Sequence, residues 1–73
     1  GADASAARVG RRPIFVEAAG AMLPSDIYDF EKLRPGNVIA GPAVIHTPIT
    51  TIVIQAKQRG TVDAYRNVLI DFA

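Results

Sequence analysis

The sequence predicts a mainly β fold, a small β-sandwich or barrel of six to seven short strands with one helical turn. Two apolar runs rich in β-branched residues, Val38–Ile45 and Thr50–Ile54, have the pattern of buried strands. Gly41-Pro42 bends the first run, and Pro48 separates it from the second. Short apolar runs punctuated in this way are typical of compact β domains.

The composition indicates a single small domain. Its 73 residues suffice for one domain, and a domain of this size buries only about 60% of the surface of its unfolded chain. With no Cys to form a disulfide or a thiolate metal site, stability must come from aliphatic packing or from docking onto a partner. No apolar run approaches the ~18 residues of a membrane helix, and the N-terminus lacks a signal-peptide pattern. We therefore expect a cytoplasmic protein with no membrane partner.

Positive charge is concentrated at the N-terminus. Arg8, Arg11 and Arg12 outweigh Asp3 there, whereas residues 13–73 are close to neutral. No aromatic side chains are interleaved among these arginines, as they often are on surfaces that bind nucleic acid. We therefore expect no nucleic-acid partner.

The first residues predict a flexible lead followed by one strand. Residues 1–11 are mostly small and cannot bury enough apolar surface to offset the entropy of ordering, so we expect a flexible lead before a single β domain at residues 12–73. Arg12–Glu17 is the first predicted strand, because Phe and Val favour extended backbone and Pro is tolerated where a strand begins. Residues 18–21 then form a turn.

The middle of the chain predicts one helical turn and the central strands. Asp29 is available as the N-cap of a turn at Phe30–Arg34, which the following Pro-Gly pair ends. Strands follow from Val38, at Ala43–His46 and at Thr50–Gln55. The last of these is expected to be central in its sheet, since alternation places Ile52 and Ile54 on one face and an apolar Val53 on the other.

The C-terminal third predicts a loop and a closing hairpin. The loop before Gly60 is polar, and we expect Gly60 to supply a positive φ. Thr61–Tyr65 and Val68–Phe72 are predicted to pair through a two-residue turn at Arg66-Asn67. Alternation places Val68, Ile70 and Phe72 on one face of the last strand.

His46 is the only histidine, and no catalytic, cofactor-binding or metal-binding set is predicted around it. A histidine on a strand is more often a surface or hydrogen-bonded structural residue than a base, and no Cys or second His is present to complete a metal site. One alternative is a small free-standing enzyme that uses His46 with Asp26 or Asp29. Against it, Asp29 already has a capping role, and no serine or threonine stands beside a base in a recognisable pattern.

Lys57 is a second candidate because carrier domains present a modified lysine at the tip between two strands. Its neighbours here are Ala56 and Gln58, unlike the methionines around a biotinylated lysine or the acidic residue beside a lipoylated one. An exposed loop lysine is the simpler interpretation. The carrier alternative, an independent carrier or protein-binding module with Lys57 at a hairpin tip, predicts a self-sufficient fold and a mass increment on this residue.

Several short motifs, taken together in order, resemble the C-terminal region of the hydantoinase A / 5-oxoprolinase family, which includes N-methylhydantoinases and the large subunits of acetone and acetophenone carboxylases. The resemblance covers about residues 12–72. Physically these are scaffold residues, since they supply turns, a bend and a core. The motifs are Ile27-Tyr28-Asp29, Lys32-Leu33-Arg34-Pro35-Gly36, Ile39-Ala40-Gly41-Pro42-Ala43-Val44-Ile45, Thr50-Thr51-Ile52-Val53 and Val62-Asp63-Ala64-Tyr65-Arg66-Asn67-Val68-Leu69-Ile70.

The chain departs from the family pattern at three places. Acidic residues are usual where it has His46-Thr47, a Pro-Gly pair is usual within Ala56–Arg59, and a glycine is usual at Arg66. These differences suggest a divergent branch or an accessory subunit.

The resemblance implies a function for the parent enzyme rather than for any residue here. Enzymes of this family use ATP and magnesium to activate a cyclic amide for hydrolysis or a ketone for carboxylation, and their nucleotide-binding folds lie upstream of this region. The chain is therefore expected to be a non-catalytic β domain or small subunit that packs against the ATPase-like body, a larger subunit or domain of the same enzyme. Such a domain should be weakly stable alone and expose an apolar patch.

Overall fold

In the computed structural model of the chain, which describes residues 2–72, seven strands form two sheets. The mainly β fold predicted from the sequence is thus confirmed, and because neither sheet closes on itself within these residues, the architecture is the sandwich and not the barrel. No helix in the described part is long and apolar enough to cross a lipid bilayer. In chain order the elements are a 3₁₀ turn at Ser5–Ala7, β1 (Arg8–Val16), β2 (Ala21–Asp29), a 3₁₀ turn at Phe30–Lys32, β3 (Val38–Ala40), β4 (Ala43–His46), β5 (Thr51–Ile54), β6 (Gln58–Val62) and β7 (Val68–Phe72).

The N-terminal residues differ from the flexible lead that the sequence predicts over residues 1–11, of which Gly1 lies outside the described part. Asp3 forms a bridge with Val38, and β1 already begins at Arg8. Ala4 and Ala7 lie in the hydrophobic core. Sequence reasoning missed this because alanines bury little apolar area by themselves, so their burial depends on backbone partners that are distant along the chain.

The positive charge of this segment is partly neutralised within the first sheet. Arg11 lies opposite Asp26 in the register of β1 and β2, and its Nε is 3.1 Å from the Asp26 carboxylate. An Arg8 guanidinium nitrogen lies 3.8 Å from the same oxygen. This oxygen is buried, so the two guanidinium groups offset the cost of withdrawing a carboxylate from water.

The first sheet has the strand order β1-β2-β4-β5, with β2 and β4 parallel and the other pairs antiparallel. Ile54 is buried and Ile52 packs against the same core, as their predicted shared face requires. The prediction that this strand is central is wrong, because β5 is an edge strand that pairs only with β4. Its Val53 side chain is correspondingly exposed on the opposite face.

The second sheet has the order β3-β6-β7 and places the backbone of Gly60 against the core. Gly60 lies inside β6 and does not adopt a positive φ, which corrects the predicted loop role. A Cβ added there would stand 2.8 Å from Cδ1 of Ile54, so the glycine makes room for a core side chain. The loop that joins β6 to β7 spans residues 63–67. It has five residues, so the predicted two-residue turn is wrong.

Asn37 is the buried polar residue that holds three parts of the chain together, and it is 5% exposed. Its Oδ1 accepts a hydrogen bond from the Arg34 backbone N–H at 2.7 Å, and its Nδ2 donates to the Asp3 carbonyl at 3.3 Å. Its own carbonyl accepts from the Val62 N–H at 2.9 Å. One side chain and one peptide unit thus join the N-terminal segment, the loop before β3 and the end of β6.

A second polar link connects the two edge strands of the first sheet. The Gln55 side chain, just after β5, accepts from the Glu17 N–H and donates to the Phe15 carbonyl at the end of β1. Its backbone N–H donates to Oε1 of Gln58 at 3.0 Å. The sheet therefore curls at this end until its edges approach, and side-chain bonds rather than a strand ladder join them.

Replacing Asn37 with alanine should destabilise the domain by about 2 kcal/mol, because the partly buried Arg34 N–H and Asp3 carbonyl would lose their partner. The matched control is Asn67→Ala, which removes an exposed amide from a loop and should cost less than about 1 kcal/mol. Urea unfolding of the two variants measures the difference. Equal losses would contradict the role assigned to Asn37.

Gly41→Ala is expected to cost about 3 kcal/mol or more. A Cβ at this position would overlap the carbonyl group of Gln55, which is backbone and cannot rotate aside. Gly10→Ala is the control, since a Cβ there meets no atom within 4 Å, and its effect should stay within about 0.5 kcal/mol. Thermal unfolding monitored by circular dichroism distinguishes the two, and a Gly41 variant as stable as the Gly10 variant would refute this packing.

Candidate interaction surface

His46 ends β4 at an exposed position, where it lies beside Asp29 in the parallel pair of β2 and β4. The Asp29 carboxylate accepts the Glu31 N–H at 3.0 Å, so the predicted N-cap is confirmed and this acid is engaged in capping. Alternation places Asp26 on the opposite face of β2, where it meets the arginines of β1. Of the two acids weighed as partners for His46, the fold thus brings only Asp29 to its side.

The surface around His46 is an open depression rather than an enclosed cleft. It contains two carboxyl groups and one imidazole, yet within residues 2–72 no three His, Cys, Asp or Glu side chains are grouped so that they could hold a metal ion. An enclosed catalytic site would have its functional groups converging in a pocket sheltered from water. The lining residues are Val9, Asp29, Glu31, His46, Thr47 and Pro48.

Lys57 lies in the turn that connects the two sheets. The predicted hairpin tip is wrong, because β5 pairs with β4 and β6 pairs with β3 and β7. The Gln58 N–H donates to the Gln55 carbonyl and closes the turn, and Lys57 adopts a φ of 66° with its side chain exposed. Such a φ is uncommon for a residue with a Cβ. Modification of Lys57 stays a prediction.

The loop between β6 and β7 gives a physical reason for the Asp-x-x-x-Asn motif. Oδ1 of Asp63 accepts the backbone N–H groups of Tyr65 and Asn67, both at 2.8 Å. These hydrogen bonds hold the pKa of Asp63 below its usual value, and the bond from the Asn67 N–H has the largest effect. The motif therefore has a structural role, which is to hold the shape of this loop.

Arg66 links this loop to the 3₁₀ turn after β2. It stands at the position where the resemblance leads us to expect a glycine. It has a φ of 63°, which costs energy for a residue with a Cβ. Its guanidinium donates to the Phe30 carbonyl at 2.9 Å and lies 5.0 Å from the centre of the Phe30 ring. The side-chain contacts offset the backbone cost that glycine would avoid.

Large apolar side chains on the surface form the most distinctive feature of the domain. Phe15 and Met22 lie opposite each other at the closed end of the β1–β2 hairpin and are 54% and 57% exposed. β7 contributes a second group, in which Phe72 shares the core-facing side with Val68 but is 77% exposed. The sequence predicted such a patch without identifying its members. The remaining exposed large apolar residues are Val9, Val38, Ile49, Val53, Tyr65, Leu69 and Ile70.

The two apolar groups lie on either side of the Gln55–Gln58 link. The Gln55 side chain contacts the Phe15 carbonyl, and Gln58 is the register partner of Phe72. Large apolar side chains that are exposed in groups mark protein interfaces more often than single exposed ones do. The fold thus defines the class, a small β-sandwich domain, and its surface exposes several large apolar side chains.

The chain belongs to the family of hydantoinase/oxoprolinase C-terminal domains, whose sequence pattern matches residues 2–71. It is 35% identical over 71 residues to the acetophenone carboxylase gamma subunit of Aromatoleum aromaticum, an alignment that covers 97% of this chain and 10% of that protein. A nucleotide-free structure of acetone carboxylase, solved in work on ATP-dependent acetone carboxylation, superimposes with a TM-score of 0.84 at 29% identity, covering 93% of this chain and 9% of that one. The resemblance noted in the sequence is thereby confirmed, and the chain spans about a tenth of the length of these two proteins.

The low pKa of Asp63 predicts that the loop between β6 and β7 loosens in acid. Because its folded-state pKa is depressed, the contribution of Asp63 to stability is fully present above its usual value of 3.8 and is lost as the pH falls through the folded pKa. The protection of the amides in residues 63–67, measured by NMR as the ratio of the intrinsic to the observed exchange rate, should therefore decrease as the pH falls from 3.8 through the folded-state pKa. In Asp63→Asn this extra acid dependence should disappear. Its persistence in that variant would contradict the assignment.

Proposed function

We propose that the chain is a non-catalytic β domain or small subunit of an ATP-dependent enzyme of the hydantoinase/oxoprolinase or ketone carboxylase type. In this proposal the domain packs against the larger, ATP-hydrolysing body of the enzyme in the cytoplasm. ATP and magnesium are bound by the body, and residues 2–72 stabilise it and complete one of its faces.

The observation that carries the proposal is the coverage of the two comparisons. Nearly the whole chain aligns with the acetophenone carboxylase gamma subunit and superimposes on acetone carboxylase, yet each alignment uses only about a tenth of the larger protein. A unit of this kind can keep its fold while the chemistry takes place on other parts of the enzyme. The exposed Phe15–Met22 pair supports the packing role, because it lies on the surface of a domain with little core of its own.

The test begins with a tag placed on this chain in its host, followed by affinity purification, intact-mass analysis and an ATP-hydrolysis assay. We expect a large polypeptide to be recovered with the tag, whether covalently continuous or as a subunit, and its ATP hydrolysis to be stimulated by a ketone or a hydantoin. Lys57 should be unmodified. Recovery of the chain without ATP-hydrolysing activity but with a covalent group on Lys57 would replace this proposal with the carrier alternative.

Phe15→Ser combined with Met22→Ser should weaken the packing of this domain on the enzyme by at least about tenfold, since both side chains lose apolar surface buried in the assembly. The control is Ile49→Ser, an exposed apolar residue on the loop at the other end of β4 and β5. Limited proteolysis of the purified enzyme measures release of the domain. Equal resistance of the double variant and the wild-type enzyme would exclude the Phe15–Met22 pair from the interface.

A further inference from the structure

β7 has a free backbone edge with few of the features by which proteins protect edge strands. It pairs with β6 on one side, and within residues 2–72 no strand pairs with its other side. All five register pairs with β6 are regular, so no bulge twists the edge away. Edge strands are commonly protected by lysine, proline or a bulge, and Val68–Phe72 contains none of these.

β7 presents exposed apolar side chains on both faces of the sheet at this edge. Ile70 and Phe72 point toward the core side and Leu69 toward the outer side, and all three are exposed. Asp71 is the one charge in the strand, and it is held within the sheet because Arg59 Nε lies 2.9 Å from its carboxylate. The strand thus offers unpaired backbone groups together with apolar side chains, the combination that an added strand recognises.

We propose that β7 accepts an extended strand from the larger polypeptide of the enzyme, which extends the β3-β6-β7 sheet by one strand. The inference rests on the proposed function and makes it more specific, since it names the surface and the secondary structure of the partner segment. The added strand has apolar residues on both faces, so that it meets Ile70 and Phe72 on one face and Leu69 on the other.

A strand is favoured over a helix because the unpaired N–H and C=O groups of β7 lie in a row that only another strand can satisfy continuously. The larger polypeptide is favoured over a second copy of the chain because domains of this kind make up only about a tenth of the two matched proteins, so most of the protein lies beside the domain in the same assembly. A segment of the same assembly is held near β7 at an effective concentration of order millimolar, well above the usual concentration of a second enzyme molecule.

Amide exchange in the purified full-length enzyme tests the inference residue by residue. In an antiparallel strand alternate N–H groups point to opposite sides, so half of the β7 amides are bonded to β6 whether or not a partner is present. If a strand is added, the other half should exchange at least about tenfold more slowly than unpaired amides. Free exchange at these alternate positions, with protection elsewhere on the domain, would overturn the inference while leaving the proposed function standing.

Two matched substitutions separate edge pairing from packing on a sheet face. Leu69 and Thr61 are register partners on the same outer face, but Leu69 lies on the edge strand and Thr61 on the central one. Leu69→Lys should accelerate exchange at the outward amides of β7 by at least about tenfold, whereas Thr61→Lys should leave it unchanged. Equal effects of both would show that the face is covered instead, and would overturn the inference.

Dilution distinguishes a strand of the same assembly from a strand of a second enzyme molecule. Protection by a strand of the same assembly is independent of enzyme concentration, whereas protection by a second enzyme molecule falls on dilution. Loss of β7 protection over a 100-fold dilution, while size-exclusion chromatography shows that the enzyme's own subunits stay associated, would assign the edge to a second copy and overturn the inference. The proposed function itself would fail separately, if the purified protein showed no ATP hydrolysis with a ketone or a hydantoin.

Discussion

The fold depends on the burial of one amide side chain, Asn37, at the point where separate parts of the chain meet. The Asn37 side chain satisfies the Arg34 N–H and the Asp3 carbonyl, and its backbone carbonyl accepts from the Val62 N–H. These partners are up to 59 positions apart. β3 is only three residues long, so its ladder to β6 could not orient it alone. Leu33, buried four residues earlier, is held in the core by the same turn. The Leu-x-Pro-Gly motif thus forms the turn that positions Asn37 between the N-terminal segment and β6.

The sequence predicted the features that depend on neighbouring residues. Its predictions were wrong where contacts between residues far apart in the chain determine the structure. Asp29 as a cap needed only its own neighbours, and β4 was evident from its apolar run. By contrast, glycine is typical of loops, yet Gly60 lies in a strand. A glycine is needed there because the Ile54 side chain occupies the space that a Cβ would fill. Ala4 and Ala7 show the same limit, since their burial follows from hydrogen bonds that the neighbouring Ala2 and Asp3 carbonyls accept from residues more than 30 positions away.

The interaction surface was the hardest part to predict, because exposure is a property of the assembled sheets. Phe15 and Val16 are adjacent and equally suited to a core, yet Val16 is 0% exposed and Phe15 is more than half exposed. The difference arises from the curl of the first sheet, which turns one face of the hairpin inward and the other outward. His46 and Lys57, which composition makes conspicuous, instead lie at a strand end and in a connecting turn.

None of the positions where the chain departs from the family pattern is buried in the core, whereas several of those that match it are. Leu33, Ala43, Val44 and Ile45 are buried, and Gly41 leaves no room for a Cβ. His46, Lys57, Arg59 and Arg66, where the chain departs, are all exposed. Substitutions at exposed positions seldom disturb a core, so the fold can be kept while the outward contacts of these loops change. Two enzymes could therefore share this domain and still hold it against bodies that differ at these loops.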